Sequence, residues 1–379
     1  MTDKISYLMT KLPQGWEVKT IEEVCKNSSS NLALKDIKDK NGQYPVFGAS
    51  GIVDYVDFYH KDKECLGIIK DGAGVGRVFI LPKNSSVIGT LNYLETFENT
   101  NLKYLFYFFH SIDFSKYILG SAIPHIYFRD YKKEIIPLPS LKEQERIVGI
   151  LDESFANIDE SIKILEQDLL NLDELMQSAL QKAFNPLKDE AKENYKLPQG
   201  WEWKSLGKIC ESISAGGDKP KDYTENKTIS NQIPIYANGV NNNGLIGYTN
   251  KAVITKSSLT ISARGTIGFV CIRKEPYYPI VRLISAIPNE KILHLEYLYF
   301  CLFFFIAKSS GSSIPQLTIP VFKNLQIPLP PLQEQEQIVS YLDELSSNVK
   351  NLKQNYQAQI KNLQELKKSL LDKAFQGRL

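Results

Sequence analysis

The sequence predicts an α+β protein: two mixed α/β domains joined by two long helices that pair as a coiled coil. Three observations predict it. The segment GSAIPHIYFRDYKKEIIPLPSLKEQERIV at Gly120–Val148 returns as GSSIPQLTIPVFKNLQIPLPPLQEQEQIV at Gly311–Val339, 191 residues later. Upstream of each copy lie short β-branched and aromatic runs broken by Gly, Asn and Pro, the pattern of strands and turns. Downstream of each copy the apolar residues recur in steps of three and four over more than 30 residues, which is a heptad seam. A period this long describes two copies of one domain-plus-helix unit, not a solenoid.

The first mixed domain covers 1–140. LPQGWE at Leu12–Glu17 opens it, and the same hexapeptide opens the second domain at Leu197–Glu202. Strands follow in YPVF, GIVDYVDFY, CLGIIK and GRVFILP, and one helix near Asn101–Lys116 interrupts them. The prolines of IPLP end the domain, because proline removes a backbone donor and restricts the residue before it. A long helix then covers 141–185. Ser140 followed by Glu143 reads as a capping box. Its seam is Val148, Leu151, Phe155, Ile158, Ile162, Leu165, Leu169, Leu172, Met176, Ala179 and Ala183. A polar linker, 186–196, leads to the second domain at 197–331, whose helix near His294–Lys308 matches the first. Here Pro331 starts the helix in place of serine, as proline in a first turn can. The C-terminal helix, 332–379, has the seam Ile338, Leu342, Leu345, Val349, Leu352, Tyr356, Gln359, Leu363, Leu366 and Leu370, with Gln359 its one polar member. Both helices end on KAF, at Lys182–Phe184 and Lys373–Phe375.

Identity between the halves is high at the edges and low in the middles. YPVFGASGIVDYVD resembles IPIYANGVNNNGLIGYTN, and DGAGVGRVFI resembles ARGTIGFVCI, only in outline. A constant frame around divergent middles is what two modules doing one job on different targets require.

Composition narrows the class. The 379 residues are 43% hydrophobic and 23% charged, ordinary for a globular protein. The most apolar run, YLYFCLFFFIA at Tyr297–Ala307, is too short for a membrane span. The first residues lack a signal-peptide core, so a cytoplasmic location is expected. Five cysteines without a C-x-x-C pair and four scattered histidines point to neither a disulfide framework nor a metal site. Cys25 and Cys210 occupy matching places and read as small core residues. The net charge of +2 conceals an uneven distribution. Leu197–Pro331 holds 14 Lys+Arg against 8 Asp+Glu, whereas Leu141–Lys196 holds 7 against 13. The second domain can hold a polyanion; the acidic first helix is an ordinary solvated face, a hold for a basic partner, or a guard that keeps DNA off the rod. Met1–Ser140 is nearly neutral, with 17 against 16.

Catalytic motifs are not found. There is no P-loop and no Asn/Asp-Pro-Pro-aromatic tetrapeptide of an adenine or cytosine methyltransferase. The E-x-K pairs Glu17–Lys19 and Glu202–Lys204 lack the upstream aspartate of a nuclease site. No Ser/His/Asp or Cys/His set has suitable spacing. The sequence reads as a binding protein with no catalytic residues and no metal.

Two variable domains, each entered by LPQGWE and left through IPLP-x-L-x-EQ-x-x-I, with helices ending in KAF, resemble the specificity subunit of type I restriction–modification systems. The resemblance covers essentially the whole chain. It implies two target-recognition domains, an antiparallel coiled coil between them, and one half of a split DNA site read by each domain. It also implies that the helices dock two methyltransferase subunits, with Glu143, Gln144, Glu334 and Gln335 as docking candidates. S-adenosylmethionine would be bound by those partners and not by this chain, and restriction/translocase subunits would complete the assembly. The chemistry of base and phosphate contacts selects Ser50, Tyr55, Lys70, Asp71, Arg77 and Lys83 in the first domain. In the second domain it selects Asn238, Asn241, Asn242, Asn243, Tyr248, Lys256, Arg264 and Arg273. Gly76 and Gly268 are assigned to tight backbone geometry instead. The alternative is a duplicated ligand-binding or adhesion module on a coiled-coil scaffold, without DNA.

Overall fold

The computed structural model describes residues 12–38, 40–120, 123–184, 198–309 and 317–379. The linker expected at 186–196 lies outside them. The chain divides into two compact units: Met1–Glu166 with Gln357–Leu379, and Gln167–Tyr356.

In the first unit β1 (Glu17–Thr20), α1 (Ile21–Val24), β2 (Cys25–Ser29), α2 (Leu34–Ile37), β3 (Tyr44–Gly48) and β4 (Gly51–Val56) come first. Then come β5 (Cys65–Ile69), β6 (Val78–Leu81), β7 (Ser86–Val87), β8 (Leu91–Thr96), α3 (Leu102–Ser111), α4 (Phe128–Tyr131) and β9 (Ile135–Leu138). The long helix α5 (Leu141–Phe184) follows. The strands form three sheets, in the orders β1-β9, β2-β8-β5-β6 and β4-β3-β7. The four-stranded sheet is antiparallel, and β3 pairs parallel with β7.

The entry strand pairs with the exit strand. Glu17 of LPQGWE lies opposite Leu138 of IPLP, and Thr20 lies opposite Ile135. The alike edges are therefore one two-stranded ribbon, and the divergent middle is an excursion between its strands. The core under it is aromatic: Tyr104, Phe108, Phe109 and Tyr131 pack with Ile21, Leu66, Leu94 and Ile136. The same core takes in Ile147, Val148 and Leu151 from α5 and Leu371, Ala374 and Phe375 from the C-terminal helix. Phe375 meets Tyr104 and Phe108 edge-on, each at 5.2 Å between centroids.

The second unit repeats the plan with β10 (Glu202–Ser205), α6 (Leu206–Ile209), β11 (Cys210–Ala215), β12 (Ile233–Tyr236), β13 (Leu245–Thr249) and β14 (Ser258–Ile261). It continues with β15 (Val270–Arg273), β16 (Tyr278–Pro279), β17 (Ile284–Pro288), α7 (Leu295–Ser309), α8 (Ile319–Asn324), β18 (Gln326–Leu329) and the helix α9 (Leu332–Ala374). Its sheets run β10-β18, β11-β17-β14-β15 and β13-β12-β16, strand for strand the order of the first domain. Both copies carry an irregularity at the same place, between Val46 and Phe47 and between Ile235 and Tyr236. Phe184, the end of the first KAF, sits in this core against Tyr297 at 5.4 Å.

Within each unit α5 and α9 run antiparallel. In the first, the Arg146 guanidinium donates to the Leu379 carbonyl, while Lys367 pairs with Asp159 further along. In the second, Lys353 pairs with Asp173, and Ala179 and Leu180 share a core with Val339 and Leu342. The α5 seam is buried or half-buried at every expected position.

The α9 seam departs from expectation in its C-terminal half. Leu352 and Leu366 are 40% and 44% exposed, and Gln359 is exposed. The inward positions are Val349, Lys353, Tyr356, Ile360, Leu363, Lys367, Leu370 and Leu371. Two lysines replace two leucines because a lysine stem buries as an alkyl chain and its ammonium finds a carboxylate on α5. Lys367 also lies over the Phe155 ring, 4.8 Å from its centroid. Part of the acidity of α5 thus serves its partner helix.

The capping box at Ser140 is half-formed. Glu143 N donates to Ser140 Oγ at 3.4 Å, but the Glu143 carboxylate turns to Arg146, at 2.7 and 2.8 Å.

Candidate nucleic-acid interface

The tips of the excursions carry the polar candidates. In the first domain β3 and β4 meet at Ala49–Ser50, with Gly51 at φ +112°. The loop between β5 and β6 folds back on itself through Gly76 N to Ile69 O at 2.9 Å. Arg77 joins the two loops: its Nη2 donates to the Ala49 carbonyl at 3.1 Å. Its guanidinium lies over Gly74, where a Cβ would come within 2.3 Å of it. Ser50 and Arg77 are exposed, so they share one edge. Lys70 and Asp71 are half-buried behind them, and both their amides donate to the Thr90 carbonyl, at 3.0 and 3.3 Å. Tyr55 is 48% exposed, but it lies at the far end of β4. Lys83 lies beyond the end of β6 opposite to Arg77. The structure therefore groups Ser50, Lys70, Asp71 and Arg77 and leaves Tyr55 and Lys83 apart.

In the second domain the link between β12 and β13 holds Asn241, Asn242 and Asn243, all exposed. Asn242 and Asn243 are left-handed, at φ 47° and 51°, the conformation asparagine tolerates better than most residues. Arg273 supports this turn and does not face out. It is 9% exposed, donates Nε to Thr260 Oγ1 at 3.0 Å and Nη2 to the Asn243 carbonyl, and stacks 3.5 Å over Tyr236. The expectation of a direct DNA contact is corrected: burial makes Arg273 a strut.

Asn238 is also engaged internally. Its Oδ1 accepts from Ala263 N at 2.8 Å, and its Nδ2 donates to the Val281 carbonyl at 2.7 Å. One amide thus joins the loop after β12 to the loop after β14, where Arg264 is exposed. Tyr248 is half-buried in β13, with its backbone paired to Thr224. Lys256 is held by Glu211 at 2.5 Å, at the end of β14 away from Arg264. The group brought together is Asn238, Asn241, Asn242, Asn243 and Arg264.

Val281 and Arg282 were missed by sequence reasoning. Both are exposed and left-handed, at φ 53° and 61°, and they adjoin the Asn238 clasp. No composition signal marks a non-glycine left-handed pair. Gly76 and Gly268 do hold tight backbone: φ is +86° and +84°, and a Cβ would press on Phe114 and Ile306 within 2.7 Å and 2.5 Å.

The docking candidates divide. Gln144 and Gln335 are wholly buried. Gln144 Oε1 accepts from Asn101 N at 2.8 Å, and its Nε2 donates to the carbonyls of Asn99 and Pro139 at 3.0 and 2.8 Å. Gln335 does the same with His294 N, Ile292 O and Pro330 O. This corrects the expectation that they meet a partner: each one fastens its long helix to the domain before it. Glu143 and Glu334 are half-buried at the same turns. The Arg146 guanidinium holds the Glu143 carboxyl below its ordinary range, and Glu334 accepts from Trp201 Nε1 at 2.7 Å.

All five cysteines are unpaired, and burial pushes Cys25, Cys65 and Cys210 up to about 12. Among the described residues no group of three His, Cys, Asp or Glu is placed to hold a metal ion. Among them, too, no helix is long and apolar enough to cross a membrane.

The type I restriction modification DNA specificity domain matches this chain twice, at residues 13–169 and 198–362. A Mycoplasma pneumoniae chain named as a type I specificity subunit is 29% identical over 339 residues, covering 86% of this chain and 88% of its own. The MjaIX type I restriction enzyme specificity subunit of Methanocaldococcus jannaschii is 24% identical over 417 residues, covering 97% and 94%. The HsdS subunit from Thermoanaerobacter tengcongensis has the same fold, with a TM-score of 0.60 at 21% identity over 97% of this chain and 98% of that one. A chain solved in work on complex assembly and conformational transition of the type I R-M system has a TM-score of 0.79 at 21% identity, covering 97% of this chain and 99% of that one. The chain therefore belongs to the type I restriction–modification DNA specificity family, as a non-catalytic specificity subunit with two target-recognition domains.

Proposed function

We propose that the chain reads a bipartite site in double-stranded DNA, one half-site per domain. The observation that carries this is the excursion itself. One ribbon, one sheet order and one buried glutamine recur in both copies, while the exposed tips differ completely: Ser50 and Arg77 in one, three asparagines and Arg264 in the other. Base edges are read by arginine, asparagine and serine, and tips that differ on a constant frame are suited to different sequences. On this reading two methyltransferase subunits dock on the helices and bring S-adenosylmethionine and the adenine-modifying chemistry. Restriction/translocase subunits join them, and the assembly works in the cytoplasm. No residue of this chain is assigned to the cofactor.

The test is to map methylated adenines in a host carrying this chain with its methyltransferase. A bipartite motif with a fixed gap is expected. Replacing Ser28–Tyr131 by the corresponding stretch of a relative should change one half of that motif and leave the other. A change in both halves, or in neither, refutes one-domain-one-half reading. At finer grain, Arg264→Ala should cost about 1–3 kcal/mol of binding and relax one half-site, and Arg77→Ala should do so in the other. A binding titration over a salt series separates base contact from phosphate contact, since only the latter weakens all sequences alike and flattens the salt slope.

A further inference from the structure

The two domains lock the same pair of loops by different means. In the first, Ile88 N donates to Phe47 O and Gly89 N to Leu32 O; in the second, Ile280 N donates to Tyr236 O and Val281 N to Gly217 O. Leu91 N to Ile88 O and Leu283 N to Ile280 O complete the match. Gly89 and Thr90 therefore correspond to Val281 and Arg282. Likewise Lys70 corresponds to Ala263, because Ile69 N to Arg77 O and Ser262 N to Phe269 O stand in one register.

In the first domain the Lys70 amide is received by the Thr90 carbonyl at 3.0 Å. In the second, the Ala263 amide goes instead to Asn238 Oδ1, and Asn238 Nδ2 holds the Val281 carbonyl. One side chain has taken over the work of a main-chain carbonyl. The turn at 281–282 is thereby tied to the neighbouring loop through the Asn238 side chain and not through a main-chain bond of its own. It adopts two consecutive left-handed residues, at φ 53° and 61°, one of them β-branched. That conformation suits glycine, and a valine holds it only when its surroundings over-determine it. Here they do: Val281 N and Arg282 N are bound to the carbonyls of Gly217 and Gly216 at 2.8 and 2.9 Å. The result is an exposed Arg282 beside the loop that carries Arg264.

We infer that Arg282 is a specificity-determining contact of the second domain and that Asn238 is its positioning residue. The inference rests on the DNA reading proposed above. The ligand group is a hydrogen-bond acceptor on a base edge in the second half-site, the kind that a planar guanidinium meets with two donors. The strained turn fixes where the guanidinium starts.

The experiment uses the chain assembled with its methyltransferase subunits and a panel of duplexes changed at single positions in either half-site. Arg282→Ala should weaken binding to the cognate duplex roughly 5- to 150-fold and relax discrimination at one or two positions of the second half only. Arg282→Lys, which keeps the charge and loses the fork, should restore affinity more than discrimination. Asn238→Ala should relax the same positions with Arg282 still present. Val281→Gly removes the left-handed strain, so its melting temperature should hold or rise while discrimination at those positions falls. Unchanged discrimination in Arg282→Ala overturns the inference, as does a uniform loss across all duplexes with a flattened salt slope. If the wild-type assembly shows no bipartite preference at all, the DNA reading fails and this inference falls with it.

Discussion

Every polar atom of the Gln144 carboxamide is bound to main chain, and Gln335 repeats the arrangement. Each satisfies the first free amide of a domain helix and two carbonyls that no strand or helix would otherwise reach. Gln335→Ala should therefore cost about 1–3 kcal/mol, since it strands a buried amide and two carbonyls. Gln335→Glu should be no better, because a carboxylate cannot donate to those carbonyls. Chemical denaturation of the full chain checks both. If Gln335→Glu were neutral, the glutamine would not be a buried fastener. The E-Q pair was legible in the sequence as a motif, but not its direction. On a helix's first turn a glutamine reads as solvent-facing, and only the folded domain brings Asn99, Pro139 and Asn101 around it. The same blindness hid Arg273, whose burial depends on Tyr236 and Thr260 from other strands, and Val281–Arg282, whose backbone conformation has no side-chain signature.

At the scale of elements, the long helices were legible because a three-four repeat depends on residue type alone. The exception is instructive. In the C-terminal half of α9 the sequence offers leucines at 352 and 366, and the structure turns in the lysines beside them. Pairing across the seam decides this, since Asp173 and Asp159 are on the other helix. Leu366→Ala should change stability by under about 0.5 kcal/mol, as for an exposed site. Lys367→Ala should cost more, on the order of 1 kcal/mol, because it removes a packed stem together with an ion pair. Thermal melts of the two variants in parallel would show the opposite order if the leucines formed the seam. A second element-level prediction concerns length. Four residues inserted at Leu172 add roughly 6 Å of helical rise, comparable to one or two base pairs. The methylated motif should keep both half-sites and gain unspecified bases between them. An unchanged gap in the methylation map would show that the helices do not measure the DNA.

On the scale of the whole molecule, each domain's core takes in a ring from the end of a long helix outside the domain's own stretch of chain. Phe375 lies among Tyr104 and Phe108 in the first unit, and Phe184 lies against Tyr297 and Phe304 in the second. The KAF repeat was legible as punctuation, but which core each phenylalanine enters was not, because helix direction is a property of the fold. Phe375→Ala should destabilise by about 3–5 kcal/mol, as for a buried ring. Hydrogen exchange should then quicken in Leu102–Ser111 and stay slow in Leu295–Ser309, with Phe184→Ala giving the reverse. Equal quickening in both segments would mean that the rings do not belong to separate cores. The placement of Phe375 also sets a schedule for synthesis. The exit strand of the first domain ends at Leu138, yet the residue that closes its aromatic core is Phe375. At about 5–20 residues per second, translation needs on the order of tens of seconds to cover that interval. For that time the first domain is without the ring that packs edge-on against Tyr104 and Phe108. Its exit strand is made long before the residue that completes its core.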